Sequence, residues 1–346
     1  MAAVPTIQPT DHYATTTYTG TGSTLVITGI GFEPNFLWTK SKPGAAGNNQ
    51  WDTVRGIYER IKSEDPAGEY SEVSSLTAWG SDGYTFGTDG STNVSGAAFF
   101  AAQWHAATTG TDLSAGTITP SSSSINVVAG MSIIAYTGTG ANATIAHGLG
   151  KIPTAIIVKQ LNTARDWTCY HTSMGNTYRN WLNLASAAST GSTVWNDTSP
   201  TSTLFTVGSG AEVNESGGTY IAYVWAPIQG FSNFGSHQGH SSNVDGAYVY
   251  TGFKPSLVIY KNMDGGDIWI SQNKISSPFN VVDKYLVPSA TTSETTSSTI
   301  DVDFLSNGFK IRASNNALNY TTQKILHWAW AESPFVSSTG VPGTAR

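Results

Sequence analysis

Apolar positions along the chain come in short runs, and two kinds of run recur. Stretches such as "PTAIIVK" (Pro153–Lys159) are apolar at consecutive positions. Stretches such as "GTYIAYVWAP" (Gly218–Pro227) place Tyr220, Ala222 and Val224 on one face and Ile221, Tyr223 and Trp225 on the other, because successive strand side chains point to opposite sides. Both patterns predict strands buried on two faces. Between them lie shorter alternating segments bounded by turn residues. Asp82–Gly83 and Asp89–Gly90 bracket Tyr84 and Phe86, and Asn307–Gly308 precedes Phe309 and Ile311, which predicts hairpins. Helical spacing is confined to Thr53–Glu64, where Val54, Ile57, Tyr58 and Ile61 fit a short helix or a charged edge strand. That segment also holds the densest charge, read as a solvated surface in preference to a charged binding patch.

The pattern repeats. Pro34, Pro153 and Pro255 are each followed six residues later by Lys40, Lys159 and Lys261 across an apolar run. A proline at the first position of a strand needs no ladder donor. "YTGTG" occurs at Tyr18–Gly22 and Tyr136–Gly140, and "YTGF" at Tyr250–Phe253 is taken as its third copy. Trp51, Trp167 and Trp269 follow the lysines, and Trp104, Trp225 and Trp330 close the copies. The prolines are 119 and 102 residues apart and the closing tryptophans 121 and 105. Matched order at matched offsets is the mark of internal repetition, and units of this size can each hold a core.

The predicted fold class is therefore all-β: three tandem antiparallel β-sandwich modules, jelly-roll-like, with few short helices. The expected boundaries are an N-terminal arm and possible anchor (1–16), module 1 (17–107), a Ser/Thr/Gly linker with one short strand (108–130), and module 2 (131–228). A second linker (229–246), module 3 (247–335) and a C-terminal tail (336–346) follow. Phe231 and Phe234 are expected to tuck against a neighbouring module, and the polar stretch 288–300 is expected to be a mobile loop.

Composition narrows the function. Of the 346 residues, 12% are charged and 36 are glycine, which suits strands joined by turns. No apolar run approaches the ~18 residues of a spanning helix, so no membrane insertion is expected. The net charge of −6 argues against a nucleic-acid surface, which needs Lys and Arg against phosphates. Met1–Thr10 has neither a basic start nor an apolar stretch, and no signal peptide is expected. Cys169 is the only cysteine, which excludes an intrachain disulfide and fits folding in a cytoplasm.

Candidate chemistry is sparse. His237 and His240 stand at i, i+3 in a Gly/Ser-rich stretch without a third ligand close by, and a loop pair is the expected reading over a metal site. His147 precedes "GLGKIP", which lacks phosphate-loop spacing. Asp166 beside Trp167 and Asp267 near Trp269 could suggest a glycosidase carboxylate, but Gln50 stands before Trp51 and no second carboxylate keeps register. Turn acids before core tryptophans are expected instead. No catalytic, cofactor-binding or metal residue is assigned, no cofactor is expected, and ligand-binding residues are left unassigned. Trp38, Trp79, Trp181 and Trp195 are not shared by all modules, so an exposed face and glycan stacking remain open for them.

"YTGTGSTLVITGIGFEPNFLWTK", "WDTVRG", "SLTAWGSDGYTFG", "AHGLGKIPTAIIVK", "NWLNLASA", "YVYTGFKPSLVIYK" and "ESPFVSSTGVPGTAR" together resemble a family of repeat-bearing virion structural or tail-fibre proteins of tailed bacteriophages, particularly of aquatic and marine phages. The resemblance spans Tyr18 to Arg346 and brings no catalytic residues; "WDTVRG" is complete only in the first module, so no role for Arg55 extends to all three. It implies a non-enzymatic virion protein, made in the host cytoplasm and seated on the tail more than on the capsid. Other virion proteins are the implied partners, with a homo-oligomer expected. Three modules of about 35–40 Å end to end would give an arm about 100 Å long. A capsid decoration or head-fibre protein and a lectin-like module for host surface glycan are the alternatives, ahead of a depolymerase.

Overall fold

The computed structural model describes residues 7–107, 112–240 and 245–331, and it is all-β, with antiparallel strands and helices of a single turn. Each third of the chain builds a large and a small sheet. The large sheets share one order: first strand, closing strand, Pro–Lys strand, following strand. These are Tyr13–Thr19, Ala98–Trp104, Phe36–Ser41 and Asn48–Asp52 in module 1. They are Met131–Thr137, Thr219–Trp225, Ala155–Gln160 and Thr168–His171 in module 2, and Ser232–Gln238, Lys324–Ala331, Pro255–Asn262 and Ile270–Asn273 in module 3. Module 1 continues into Glu59–Lys62, and Ser122–Asn126 extends module 2 beyond its first strand. The small sheets carry the hairpins turned at Asp82–Gly83 and Asn307–Gly308.

The two-faced strands explain the overall packing. Tyr220, Ala222 and Val224 pack inside module 2, against its small sheet. Ile221, Tyr223 and Trp225 point the other way, into one core shared by all three modules. Phe36 and Trp104 reach that core from module 1, and Ile259, Trp328 and Trp330 from module 3. Trp330 lies at its centre, with ring centroids 5.3 Å from Trp104, 6.1 Å from Trp225, 6.0 Å from Tyr13 and 5.5 Å from Phe234. An aromatic side chain buries roughly 150–250 Å², and at ~25 cal/mol per Å² exposing these faces would cost several kcal/mol per ring. The end-to-end arm would have exposed them. The modules instead fold together around the shared core.

Several expected boundaries move for the same reason. The linker 229–246 contains the first strand of module 3: Ser232–Gln238 pairs along its length with Lys324–Ala331. Phe231 and Phe234 join the shared core. Residues 7–16 are no free anchor, since Ile7 is buried in that core and Tyr13 starts a paired strand. In the linker 108–130 the strand Ser122–Asn126 pairs with Met131–Thr137, and Leu113 and Ile118 are buried in module 2. The tail 336–346 and the last residues of module 3 lie outside the described residues.

Candidate functional site

The residues that recur most faithfully meet at the seams between modules. Lys40, Lys159 and Lys261 are buried, and each Nζ donates to the carbonyl six residues on: Ala46, Arg165 and Asp267. Lysine suits the place because its ammonium has three donors and a buried charge needs partners. Two of the three also reach a neighbouring module: Lys40 Nζ to Thr291 O (2.8 Å) and Lys159 Nζ to Pro66 O (2.9 Å). Burial lowers each ammonium to about 8, with Glu64, with Asp65 and Asp166, and with Asp267 acting in the opposite direction.

Two residues after each lysine, a backbone carbonyl accepts an N–H from another module. Glu294 N donates to Lys42 O (2.7 Å), Glu69 N to Leu161 O (2.8 Å) and Ala188 N to Met263 O (2.7 Å). Eight residues after each lysine, a side chain donates across the same seam. Asn48 Nδ2 reaches Val287 O (3.1 Å) and Ala290 O (2.9 Å), Trp167 Nε1 reaches Lys62 O (2.9 Å) and Asp65 O (3.1 Å), and Trp269 Nε1 reaches Trp181 O (2.8 Å). Module 1 thus grips module 3, module 2 grips module 1, and module 3 grips module 2. The ring closes.

Two expectations fall at these seams. The polar stretch 288–300 is no mobile loop: it carries the carbonyls that Lys40 and Asn48 bind, and Glu294 pairs with Lys42 at 3.2 Å. Trp51 is not the counterpart of Trp167 and Trp269, which match Asn48. It faces Leu37 across the ladder, as Tyr170 faces Ile156 and Gln272 faces Val258.

A second recurring device was not singled out from sequence. Asn93, Asn214 and Asn319 are fully buried at the ends of one-turn helices (Gly90–Asn93, Ala211–Asn214, Asn316–Asn319). Their Oδ1 atoms accept from Thr21 N (2.7 Å), Thr139 N (2.7 Å) and His240 N (2.8 Å). Their Nδ2 atoms donate to Gly87 O, Gly208 O and Ala313 O. The sequence signal was present: each asparagine stands eleven residues before a closing tryptophan.

This device corrects the third "YTG". Tyr18 Oη donates to Thr92 O (2.8 Å) and Tyr136 Oη to Val213 O (2.6 Å), while His237 Nε2 lies 2.8 Å from Leu318 O. His237, not Tyr250, holds the tyrosine's place. The next glycine confirms it, because a Cβ on Gly20, Gly138 or Gly239 would lie 2.1–2.3 Å from a backbone carbonyl of the asparagine loop. Tyr250 is 68% exposed on the small sheet.

Two arginine side chains of the charged segment of module 1, Arg55 and Arg60, are buried as well. Arg55 Nε donates to Asp52 Oδ2 at 2.6 Å, and Tyr223 Oη of module 2 donates to the same oxygen at 2.7 Å. Glu69 lies 3.6 Å from the guanidinium. Glu59–Lys62 is a strand, and within it Arg60 is buried against Asp89. The segment expected to be a solvated surface is therefore held through Arg55 and Arg60, while Tyr58 stays exposed.

The remaining candidates are structural. His147 Nδ1 accepts from Leu149 N and its Nε2 faces Thr201 O, a loop brace. Asp166 accepts from Asn183, 17 residues on, and Asp267 from Asn262, so both carboxylates brace loop segments. Trp195 is buried, and Trp38, Trp79 and Trp181 are half-buried. Among the described residues no three His, Cys, Asp or Glu side chains are placed to hold a metal ion.

Buried histidines give the assembly an acid limit. Burial pushes His171 down to about 4, with His327 O opposing it and the Lys324 charge adding to it, and pushes His237 down to about 4, with Leu318 O opposing it and His240 adding to it. An unfolded chain protonates near 6.5, so stability is fully present above about 6.5 and is lost as pH falls towards 4. At pH 5 each of these histidines costs about 2 kcal/mol. Thermal melts should show a lower Tm at pH 5 than at pH 7, and His171→Gln and His237→Gln should each shrink that difference. An unchanged difference in both variants would refute the assignment.

Neither the curated proteins nor the solved structures give a match. A family model does match residues 8–334, which takes in all three modules and every seam contact described above, and the chain therefore belongs to the family described as "Domain of unknown function (DUF7483)".

Proposed function

We propose that this chain is a non-enzymatic virion structural protein of a tailed bacteriophage, a tail-associated component that acts as a rigid three-lobed block. The observation that carries the reading is the closed ring of seams. The repeated lysines, their carbonyl partners and the paired aromatic faces all hold three modules in fixed orientation. Reach plays no part in the role. A block of this kind seats other virion proteins around itself and presents three lobes outward. The resemblance of its motifs to virion structural and tail-fibre proteins supplies the setting.

The test is location. Intact virions labelled with a gold-tagged antibody to this chain should carry gold at the tail under the electron microscope. Gold over the head would replace the tail reading with a capsid decoration or head-fibre protein. Absence of the chain from purified virions by mass spectrometry would overturn the virion reading altogether.

A further inference from the structure

We propose that the cleft between modules 1 and 3 is the seat of the chain's own segment 332–346, laid along the open edge of module 1. The cleft has a volume of about 210 Å³, and Tyr13, Ala14, Thr15 and Thr16 all line it. Four consecutive residues of an alternating strand line one space only along its edge. Tyr13–Thr19 is the edge of its sheet, and an edge strand presents main-chain N–H and C=O groups that no ladder uses. Proteins blunt such edges with charged side chains, prolines or bulges, or else cover them. Tyr13–Thr19 has no charged residue and no proline, and its pairing with Ala98–Trp104 runs without a register shift. Covering is the device that remains.

Module 2 shows how the covering is done. Met131 faces Trp225 as Tyr13 faces Trp104, so the two first strands correspond residue by residue. On module 2 the outer side of that strand is paired by Ser122–Asn126, from Ala135 back to Met131. Ser132, Ile133 and Ile134 are buried there, whereas Ala14, Thr15 and Thr16 are half-buried. The covering strand belongs to the stretch of chain that leaves the closing strand of module 1 at Trp104 and runs on to module 2. Residues 226–231 join module 2 to module 3 directly and supply no such strand.

Carried once more round the ring, the same connection sends the chain after module 3 to module 1. The closing strand of module 3 ends at Ala331, and Ala331 itself lines the cleft. Its N–H donates to Phe231 O at 2.8 Å, and the Trp330 ring stacks 6.0 Å from the Tyr13 ring. The chain is thus delivered to the first residue of the open edge. The segment 332–346 adds fifteen residues, which reach about 50 Å when extended. The edge positions 13–17, counterparts of 131–135, need only about 17 Å, so the segment can enter from either end. Between Pro334 and Pro342 every residue keeps its N–H, and "VSST" at 336–339 is as small and hydroxyl-rich as "SSSI" at 122–125. Module 3 walls the cleft through Ser256, whose Oγ lies 3.0 Å from Thr15 Oγ1, which suits one extended chain better than the sheet of a second copy.

Hydrogen–deuterium exchange read by mass spectrometry tests this on the intact chain and on a chain that stops after Ala331. In the intact chain, residues 13–19 should be protected along their whole length, as 131–137 should be. Truncation should speed exchange at the outward amides of 13–19 by at least about tenfold and leave 122–126 and 131–137 unchanged. A synthetic peptide of residues 332–346, added to the truncated chain, should restore the protection. If truncation speeds exchange everywhere, the full-length variant Ser337→Pro with Ser338→Pro carries the test. Neighbouring strand residues face opposite sides, so one of its two lost N–H groups faces the edge, and exchange should quicken in 13–19 alone. Fast exchange of 13–19 in the intact chain, or exchange that neither variant alters, would overturn the proposal. Protection that disappears on dilution would give the edge to a second copy and overturn it equally.

Discussion

Replacing Asp52 by alanine is expected to destabilise the protein by about 3–5 kcal/mol, because breaking a buried ion pair on one side leaves the other charge uncompensated. Asp52 is fully buried and the Arg55 side chain is 2% exposed. The carboxylate also accepts from Val54 N and Arg55 N and from Tyr223 Oη, so its loss strands three further donors. Opposite charge beside the guanidinium holds it firmly ionised despite burial, which rules out escape by deprotonation. Paired replacement, Asp52→Ala with Arg55→Met, should recover part of the loss, since removing both partners spares the orphaned charge. Urea denaturation of the wild type and the single and double variants would measure this. A single variant within about 1 kcal/mol of wild type would show that water, not Asp52, satisfies Arg55.

Trp330→Ala is expected to cost about 3–5 kcal/mol and to weaken all three modules at once. Trp330 touches rings of modules 1, 2 and 3 through Trp104, Trp225 and Phe234. A cavity at that point therefore removes contacts from every module. Wild-type unfolding should be a single cooperative transition by fluorescence, circular dichroism and calorimetry, with a calorimetric enthalpy equal to the van't Hoff value. The variant should shift that transition without splitting it. Three separable transitions in the wild type would show modules that fold independently and a shared core that contributes little.

Local order was legible in the sequence, and the partners of that order were not. The two faces of Thr219–Trp225 follow from alternation alone, and the structure places Tyr220 and Tyr223 in different cores as that alternation requires. What alternation does not reveal is what covers a second apolar face. An end-to-end arm leaves those faces without a partner, and the shared core supplies one. Charge patterning misled for a related reason. Arg55 and Arg60 look solvated until their partners are seen, and Tyr223 lies 171 residues from Asp52. The third repeat was set out of step by "YTG" at Tyr250, because the histidine that performs the tyrosine's task shares its hydrogen bond and not its letter. Asn93, Asn214 and Asn319 were overlooked because polar residues near turns are common and only their fixed distance from a tryptophan marks them.

The closed ring of seams changes what mutation can do to this molecule. Three identical subunits around an axis would carry every substitution three times, once at each contact. In this chain each contact has its own pair of sequences, so one can be rewritten while the other two hold the body together. Tyrosine at two equivalent points and histidine at the third, threonine at two and lysine at the third, asparagine at one and tryptophan at two are the record of that freedom. One polypeptide that repeats its module three times closes a ring of like contacts and lets its three sides differ.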